Sequence, residues 1–171
     1  MKARIAGIER HSAVNGPGVR YVLFFQGCRH RCVGCQNPET QPEEGGTLYE
    51  TSDLIEDILQ TKYLDGVTFS GGDPFCQPQA LEKIASALRE SAINIWAYSG
   101  WTYEELLSGI AGEEAISALR QIDVLVDGPF ILKLLSTTCL FRGSSNQRLI
   151  DVQESLRRNE VKELDQINFN L

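Results

Sequence analysis

The chain has 171 residues, the usual size of one domain. Hydrophobic residues make up 42% and charged residues 23%, which excludes a disordered or fibrous chain and predicts a globular protein with a sizeable core. The net charge of −7 argues against general nucleic-acid binding, and no apolar run approaches the roughly 18 residues that a membrane-spanning helix needs.

Basic residues are concentrated in the first 35 positions. Six lysines and arginines and one glutamate give this segment a charge of +5, against −12 for the rest of the chain. The basic zone is either a solvated face or a surface that attracts an acidic partner. The first eight residues include charges and no long apolar block, so they do not resemble a secretory signal, and we expect a cytoplasmic protein without a membrane partner.

Short apolar runs rich in strand-forming residues alternate with helical patterns. The pattern predicts strands over residues 20–25, 67–70, 94–98 and 123–126, with a possible fifth over 147–152. It predicts helices from Thr51 or Ser52 to residue 59, over 81–88, from Thr102 to 107, and around 115–119. The stretch 38–47, which contains prolines and glycines, is predicted to be a loop.

This alternation is typical of an α/β fold with a mostly parallel sheet, and the continuously apolar strands indicate that helices cover it. We expect a single domain over residues 1–171, with its core at about 5–152 and a charged C-terminal tail at about 153–171. In such sheets ligands bind at the carboxyl ends of the strands. The segments that directly follow the strands are therefore the candidate site.

Three of the five cysteines follow the first predicted strand. Cys28, Cys32 and Cys35 have the spacing C-x3-C-x2-C, whereas Cys76 and Cys139 stand alone in the sequence. An odd number of cysteines in this pattern does not favour a disulfide framework. Three thiolates so close together can instead hold one compact inorganic centre.

The spacing leaves three interpretations open. A [4Fe–4S] cluster is normally held by four cysteines, so three would leave one iron with an open position, which is typical of a metal that does chemistry. A structural zinc site needs a fourth ligand, which Cys76, Cys139 or His30 would have to supply. The third interpretation is that the cysteines bind nothing. Cys76 and Cys139 are more typical of small core residues than of ligands.

The other predicted strands are also followed by glycine-rich or polar segments. Gly71-Gly72-Asp73-Pro74 comes after the second strand, Ser99-Gly100 after the third, and Asp127-Gly128 after the fourth. Taken singly, each segment is explained equally well as a turn or a helix cap. Because the carboxyl ends of parallel strands meet at one edge, we expect all of them to converge on the cysteine segment, which predicts a ligand-binding edge.

These motifs together resemble the radical S-adenosylmethionine (SAM) superfamily, whose signature is C-x3-C-x2-C after the first barrel strand and Gly-Gly-Asp/Glu-Pro after the second. The chain resembles most closely the activating proteins of anaerobic (class III) ribonucleotide reductases, over residues about 5–152. The matching stretches are residues 15–20, 25–28, 34–40, 71–75, 98–102, 126–130 and 141–148. Many superfamily members have an aromatic residue at the position of Gly34. The reductase activating proteins commonly have glycine there, as this chain does.

The resemblance implies an incomplete βα barrel and two cofactors. Cys28, Cys32 and Cys35 would bind a [4Fe–4S] cluster and carry the chemistry, while SAM chelates the open iron. An electron from the cluster would split SAM into methionine and a 5′-deoxyadenosyl radical. That radical would take a hydrogen from a glycine of the catalytic subunit of anaerobic ribonucleotide reductase, and the resulting glycyl radical would drive ribonucleotide reduction in the partner.

The resemblance also implies a set of SAM-binding residues and an electron donor. The set comprises Gly34, Gln36, Asn37, Gly71, Gly72, Asp73, Pro74, Ser99 and Asp127. An acidic donor such as a flavodoxin is expected to dock at the basic residues around Cys28. The chemistry needs no paired general acid and base, because the cofactor supplies it and the protein supplies binding, orientation and exclusion of water.

Four other functions remain open at this point. An activating enzyme of another glycyl radical enzyme, such as pyruvate formate-lyase, would share the same motifs, although such relatives are usually longer. A small radical SAM enzyme acting on a metabolite would need specific small-molecule contacts that the sequence does not reveal. A small iron–sulfur electron-transfer module would be expected to have four ligands for each cluster. A zinc module would contain zinc without sulfide.

Overall fold

The computed structural model describes residues 1–165, which form seven strands and five α-helices. The strands are β1 (Lys2–Ser12), β2 (Arg20–Phe25), β3 (Thr47–Glu50), β4 (Gly66–Gly71), β5 (Ile95–Tyr98), β6 (Val124–Asp127) and β7 (Arg148–Asp151). The helices are α1 (Thr51–Gln60), α2 (Pro78–Glu90), α3 (Tyr103–Leu107), α4 (Glu113–Leu119) and α5 (Val152–Arg158). Short 3₁₀ turns lie at Pro38–Thr40, Pro74–Cys76 and Leu132–Leu134.

The strands form one open, mixed sheet in the order β3-β1-β2-β4-β5-β6-β7. Strands β2, β4, β5 and β6 are parallel to one another at its centre. Strands β1 and β3 on one side and β7 on the other pair antiparallel with their neighbours. The predicted α/β fold with four parallel strands is confirmed. The possible fifth strand is β7, and its antiparallel direction follows from the absence of a crossover helix between β6 and β7.

The sequence pattern does not predict β1, β3 or α5. In β1 only Ala3, Ile5 and Ser12 are buried, so the strand lacks the sustained alternation that would identify it. Strand β3 lies at the edge of the sheet and has no fully buried residue, and it begins within the predicted loop 38–47. Helix α5 occupies the start of the predicted tail, about 153–171, whose last six residues lie outside the described residues.

The other helices begin and end close to the predicted positions. Helix α3 has the predicted capping box, in which Thr102 Oγ1 accepts a hydrogen bond from the Glu105 amide (3.2 Å) and the Glu105 carboxylate accepts one from the Thr102 amide (2.8 Å). Helix α1 begins at Thr51, and the side chain of its N-cap residue, Glu50, makes no capping hydrogen bond. No helix among residues 1–165 has the length and apolar character to cross a membrane.

The two faces of the sheet are covered differently. Helices α1 to α4 pack on one face, where Leu81, Ile84 and Leu88 of α2 are fully buried. Burying each such side chain contributes roughly 1.5–3 kcal/mol. On the other face a smaller cluster forms around Trp96, against which Phe141 packs edge-to-face at 5.5 Å between ring centroids. This second face carries less apolar material, which leaves room for a cavity.

Arg20 lies inside the second face, although the sequence places it in the basic zone. Its side chain is 1% exposed, and its guanidinium donates to Thr68 Oγ1 (2.7 Å) and to the Val67 carbonyl oxygen (2.7 Å). It also lies over the Trp96 ring, 5.4 Å from the centroid. Burial lowers the pKa of Arg20 to about 10. One of the six basic residues of the N-terminal zone therefore belongs to the interior.

Candidate active site

The cysteine loop, residues 26–37, leaves the sheet at the carboxyl end of β2 and is closed at its base. The Gly27 amide donates to the Thr40 carbonyl oxygen (2.7 Å) and the Cys28 amide to the Gln41 carbonyl oxygen (2.9 Å). The buried Gln26 side chain adds a bond from Nε2 to the Pro42 carbonyl oxygen (2.7 Å). These bonds hold the three cysteines of the motif on one compact lobe.

A cavity of about 450 Å³ lies between this loop and the carboxyl ends of the parallel strands. Its wall includes Cys28, Cys32 and Cys35. Within residues 1–165 no three cysteine, histidine or carboxylate side chains are grouped closely enough to bind a metal ion, so the thiols share a wall without converging on one point. Thiolates are the ligands of iron–sulfur clusters, and this donor set fits such a cluster. Burial raises the pKa of the Cys28 thiol.

The predicted convergence of the strand ends is confirmed by the rest of the cavity wall. Residues from the ends of β4, β5 and β6 contribute to it, including Gly71, Ser99 and Gly128. The wall is completed by the segment 128–147, which crosses the second face of the sheet between β6 and β7. One open cavity is therefore bordered by segments that are far apart in the sequence.

Gly71 and Gly72 are required by contact between two stretches of backbone. A Cβ atom on Gly71 would lie 2.5 Å from the Phe25 amide nitrogen, and one on Gly72 would lie 2.3 Å from the Gly27 carbonyl oxygen. The Gly72 amide donates to the Phe25 carbonyl oxygen at 2.8 Å. Gly71 also has a φ of +98°, which favours glycine. The two glycines bring the end of β4 directly against the base of the cysteine loop.

The buried Asp73 carboxylate forms hydrogen bonds to three segments of the site. Its side chain is completely buried, and Oδ1 accepts a hydrogen bond from the Phe75 amide (2.9 Å). Its Oδ2 accepts from Ser99 Oγ (2.9 Å), from the Gly100 amide (2.9 Å) and from His30 Nε2 (3.0 Å). The carboxylate therefore ties the cysteine loop, through His30, to the ends of β4 and β5.

The grouping of Ser99, His30 and Asp73 is not a nucleophilic triad. In such a triad the histidine lies between the serine and the carboxylate. Here both Ser99 Oγ and His30 Nε2 contact the same oxygen of Asp73. The His30 ring also packs edge-on against Trp101, with 4.4 Å between the ring centroids, and a Cβ on Gly100 would lie 2.3 Å from it. The arrangement fixes the position of His30 rather than activating a hydroxyl group.

Asp127 has a similar supporting position at the end of β6. Its side chain is 1% exposed and accepts hydrogen bonds from the Tyr103 amide (2.8 Å) and from Arg148 Nε (3.0 Å). Arg148 also binds Glu104, and the hydrogen bonds to Asp127 and Glu104 raise the pKa of Arg148. Asp127 is thus fully engaged by α3 and β7.

The residues predicted for SAM binding fall into two groups. Gln36, Asn37, Gly71, Gly72 and Ser99 line the cavity together with the three cysteines. Gly34, Asp73, Pro74 and Asp127 do not line it. Asp73 and Asp127 lie behind the residues of the wall, and their carboxylates accept hydrogen bonds from the Gly100 and Tyr103 amides. Gly34 turns the chain between two cysteines at a φ of +74°.

Several residues of the cavity wall were not assigned a role from the sequence. Among them are Asn15, Tyr98, Phe141, Arg142 and Gln147. All five belong to the stretches that carry the family resemblance, and that membership is the signal that could have identified them. Arg142 donates from Nη1 to the Gln147 carbonyl oxygen (2.9 Å), while its buried Nε has no hydrogen-bond partner among residues 1–165. It adds a positive charge to the wall.

Comparison with known proteins identifies the family. A family described as a 4Fe-4S single cluster domain matches residues 14–150. The anaerobic ribonucleoside-triphosphate reductase-activating protein of Enterobacteria phage T4 is 37% identical over 144 residues, which are 80% of this chain and 86% of that protein. The chain belongs to the anaerobic ribonucleoside-triphosphate reductase-activating protein family. The resemblance inferred from the motifs is confirmed.

Three further proteins are similar to this chain over part or most of its length. The reductase-activating protein of Escherichia coli (strain K12) is 34% identical over 143 residues, which are 78% of this chain and 89% of that protein. The pyruvate formate-lyase-activating enzyme of Clostridium pasteurianum is 42% identical over 113 residues, but these are 61% of this chain and 48% of that enzyme. The structure of QueE from Escherichia coli aligns with 60% of this chain and 54% of its own at 17% identity and a TM-score of 0.48.

Proposed function

We propose that this chain is a radical SAM activating enzyme that generates a glycyl radical on the catalytic subunit of an anaerobic ribonucleotide reductase. The observation that carries the proposal is the cavity, in which all three thiols of the C-x3-C-x2-C motif share a wall with the glycine-rich ends of the parallel strands. Family membership supports the choice of partner, since relatives that match over most of their length are named as activating proteins of this reductase.

The residues of the chain would bind and orient the two cofactors. Cys28, Cys32 and Cys35 would hold a [4Fe–4S] cluster, and Gln36, Asn37, Gly71, Gly72 and Ser99 would contact SAM. Gly34, Asp73, Pro74 and Asp127 would act from behind the wall by fixing the segments that make these contacts. When bound, these cofactors supply the one-electron reductive cleavage of SAM that starts the reaction.

The remaining residues would keep water out and admit the substrate. Tyr98 and Phe141 give the cavity apolar surface, and a dry site protects a reactive species from side reactions. The sheet supports an incomplete βα barrel of the radical SAM type, because its edge strands β3 and β7 do not pair with each other. Such an open architecture would let a loop of a large protein reach the cavity. A cytoplasmic location, with neither membrane nor nucleic acid as a partner, is part of this proposal.

The function is tested by reconstituting the protein with iron and sulfide in the absence of oxygen. SAM and dithionite are then added, with and without an anaerobic ribonucleotide reductase. We expect 5′-deoxyadenosine, together with a glycyl radical on the reductase detected by electron paramagnetic resonance. Product without that radical would keep the radical SAM chemistry and require another substrate. An intact cluster that gives no product would favour an electron-transfer module.

A second candidate is the activation of a pyruvate formate-lyase type enzyme. The 42% identity to the enzyme of Clostridium pasteurianum favours it over a metabolite-directed enzyme, an electron-transfer module or a zinc module. However, this chain spans about half of that relative, whereas it matches 86% of the phage reductase-activating protein. Offering both partner enzymes in the same assay distinguishes the two candidates, because the radical would form on only one of them.

The electron donor would approach Cys28 from the side that faces away from the cavity. A second depression is lined by Cys28, Arg29, Arg31 and Glu43, among others. The other four basic residues of the zone are engaged elsewhere: Arg20 is buried, Arg4 donates to the Gly45 carbonyl oxygen, Arg10 pairs with Asp57 and Lys2 pairs with Glu50. Arg29 and Arg31 are therefore the exposed positive charges closest to a cluster ligand, and we propose that an acidic flavodoxin docks there.

Charge reversal tests this docking site. In an Arg29→Glu/Arg31→Glu variant we expect reduction by flavodoxin to slow by roughly tenfold at low salt, because electrostatic steering is lost. Reduction by dithionite should change little. A Lys62→Glu/Lys83→Glu variant changes the net charge equally at a distance from the cysteine loop and serves as the control. Equal rates with flavodoxin in the two variants would contradict the site.

A further inference from the structure

A run of apolar side chains is exposed beside the mouth of the cavity. We call residues 131–135 the leucine segment. Ile131, Leu132, Leu134 and Leu135 are each between 38% and 52% exposed. Other large exposed apolar residues, such as Leu59 and Ile110, belong to separate elements on the helical side of the chain. Contiguous apolar surface of this kind marks an interaction site more often than scattered single residues do.

The backbone holds the leucine segment in place with these side chains outward. The Ile131 amide donates to Ser144 Oγ (3.2 Å), and the Leu134 carbonyl oxygen accepts from the Ser145 amide (2.8 Å). Leu135 forms a β-bridge with Ser144, which is completely buried. The backbone of the segment is therefore held from its inner side by residues 144 and 145.

The apolar surface is continuous with the proposed active site at two points. Leu135 lines the cavity. A Cβ atom on Gly34 would lie 3.0 Å from the methyl carbons of Leu132, so Leu132 lies directly against the cysteine loop. Val33, the neighbour of Gly34 in the sequence, is 79% exposed. A polypeptide that enters the cavity between the cysteine loop and residues 131–135 would contact this surface.

The identity of that polypeptide follows from the chemistry of its target, and this step rests on the proposed function. A glycine has no side chain by which it can be recognised. Its selection over other residues must therefore come from the side chains that flank it and from the surface around the cavity mouth. We infer that the leucine segment is the docking surface for the glycine-bearing loop of the reductase, where it receives apolar side chains that flank the target glycine. The exposed Lys133 within the segment suits an acidic neighbour on that loop.

An Ile131→Ser/Leu134→Ser variant tests the inference. Neither residue lines the cavity, so SAM cleavage with dithionite in the absence of the reductase should stay at the wild-type rate. The reductase concentration that gives half-maximal glycyl radical formation should rise by roughly tenfold or more, because two apolar contacts are lost. A Leu59→Ser/Ile110→Ser variant removes two apolar side chains that are somewhat more exposed and lie elsewhere, and it should behave like the wild type.

The outcomes separate this inference from the proposed function. One outcome is that the wild type and the leucine-segment variant both activate the reductase at the same half-maximal reductase concentration. In that case the assignment of the docking surface is wrong and the proposed function stands. If the wild type cleaves SAM but forms no radical at any reductase concentration, both are wrong. A photoreactive benzoylphenylalanine in place of Lys133 provides an independent readout, since it should cross-link to the reductase, whereas the same group in place of Lys62 should not.

Discussion

We expect SAM cleavage to fall below detection in each of the Cys28→Ser, Cys32→Ser and Cys35→Ser variants, and Cys76→Ser to keep most of the activity. The three cysteines of the motif line the cavity, and each serine would remove one thiolate from a set of three. Cys76 does not line the cavity. Burial raises the pKa of the Cys76 thiol to about 12.

Iron and sulfide content, the visible absorption of the reconstituted protein and 5′-deoxyadenosine formation measure this difference. Cys139→Ser is the matched control, since Cys139 also does not line the cavity. Circular dichroism of each variant before reconstitution distinguishes loss of a ligand from loss of the fold. A Cys76→Ser protein that folds normally but cannot retain iron would overturn the three-ligand assignment.

The second large effect is expected at Asp73, where Asp73→Asn should lower the free energy of unfolding by about 3 kcal/mol. Asparagine has the same shape but carries an NH₂ group in place of one oxygen. If that group takes the place of Oδ2, it faces three hydrogen-bond donors, from His30, Ser99 and Gly100. If it takes the place of Oδ1, it faces the Phe75 amide. Either orientation places the NH₂ group against at least one backbone amide donor, that of Gly100 or that of Phe75, in a completely buried position.

Urea unfolding of the protein without cofactors measures this loss. Asp53→Asn, which neutralises an exposed carboxylate in the first turn of α1, should change stability by less than about 0.5 kcal/mol. Ser99→Ala removes only one donor and leaves Oδ2 with two others, so it should cost about 1 kcal/mol. Equal stability of Asp73→Asn and Asp53→Asn would show that the hydrogen bonds of the Asp73 carboxylate do not support the fold.

The strands of the parallel centre could be predicted because they are short, apolar and bounded by glycine. The run 20–25 is one such case, and β2 spans the same residues, Arg20–Phe25. Strand β1 escaped prediction because the antiparallel pairing with β2 leaves much of it partly exposed, and charged residues such as Glu9 and Arg10 interrupt its pattern. The direction of β7 also depends on tertiary pairing, which no local pattern records.

The position of the site could be predicted because parallel strands bring their carboxyl ends to one edge. The separate roles of its residues could not. Asp73 lies 26 positions from Ser99 and 43 from His30. The sequence around Asp73 therefore does not indicate that these distant residues donate hydrogen bonds to its carboxylate. Similarly, Gly71 and Gly72 suggest close approach of a ligand, whereas the neighbour that excludes a side chain there is the backbone of residues 24–27.

The cavity wall runs from Val14 to Gln147, which has a consequence for the order of assembly. The three cysteines are neighbours in sequence and can capture iron in an unfolded chain, but the remaining wall exists only after β2, β4, β5 and β6 have paired. Such long-range pairing is slow compared with local contacts. Iron that arrives early would stabilise the unfolded chain at the expense of the folded one. We therefore expect a higher yield of cluster-loaded protein when the apoprotein is folded first and iron and sulfide are added afterwards.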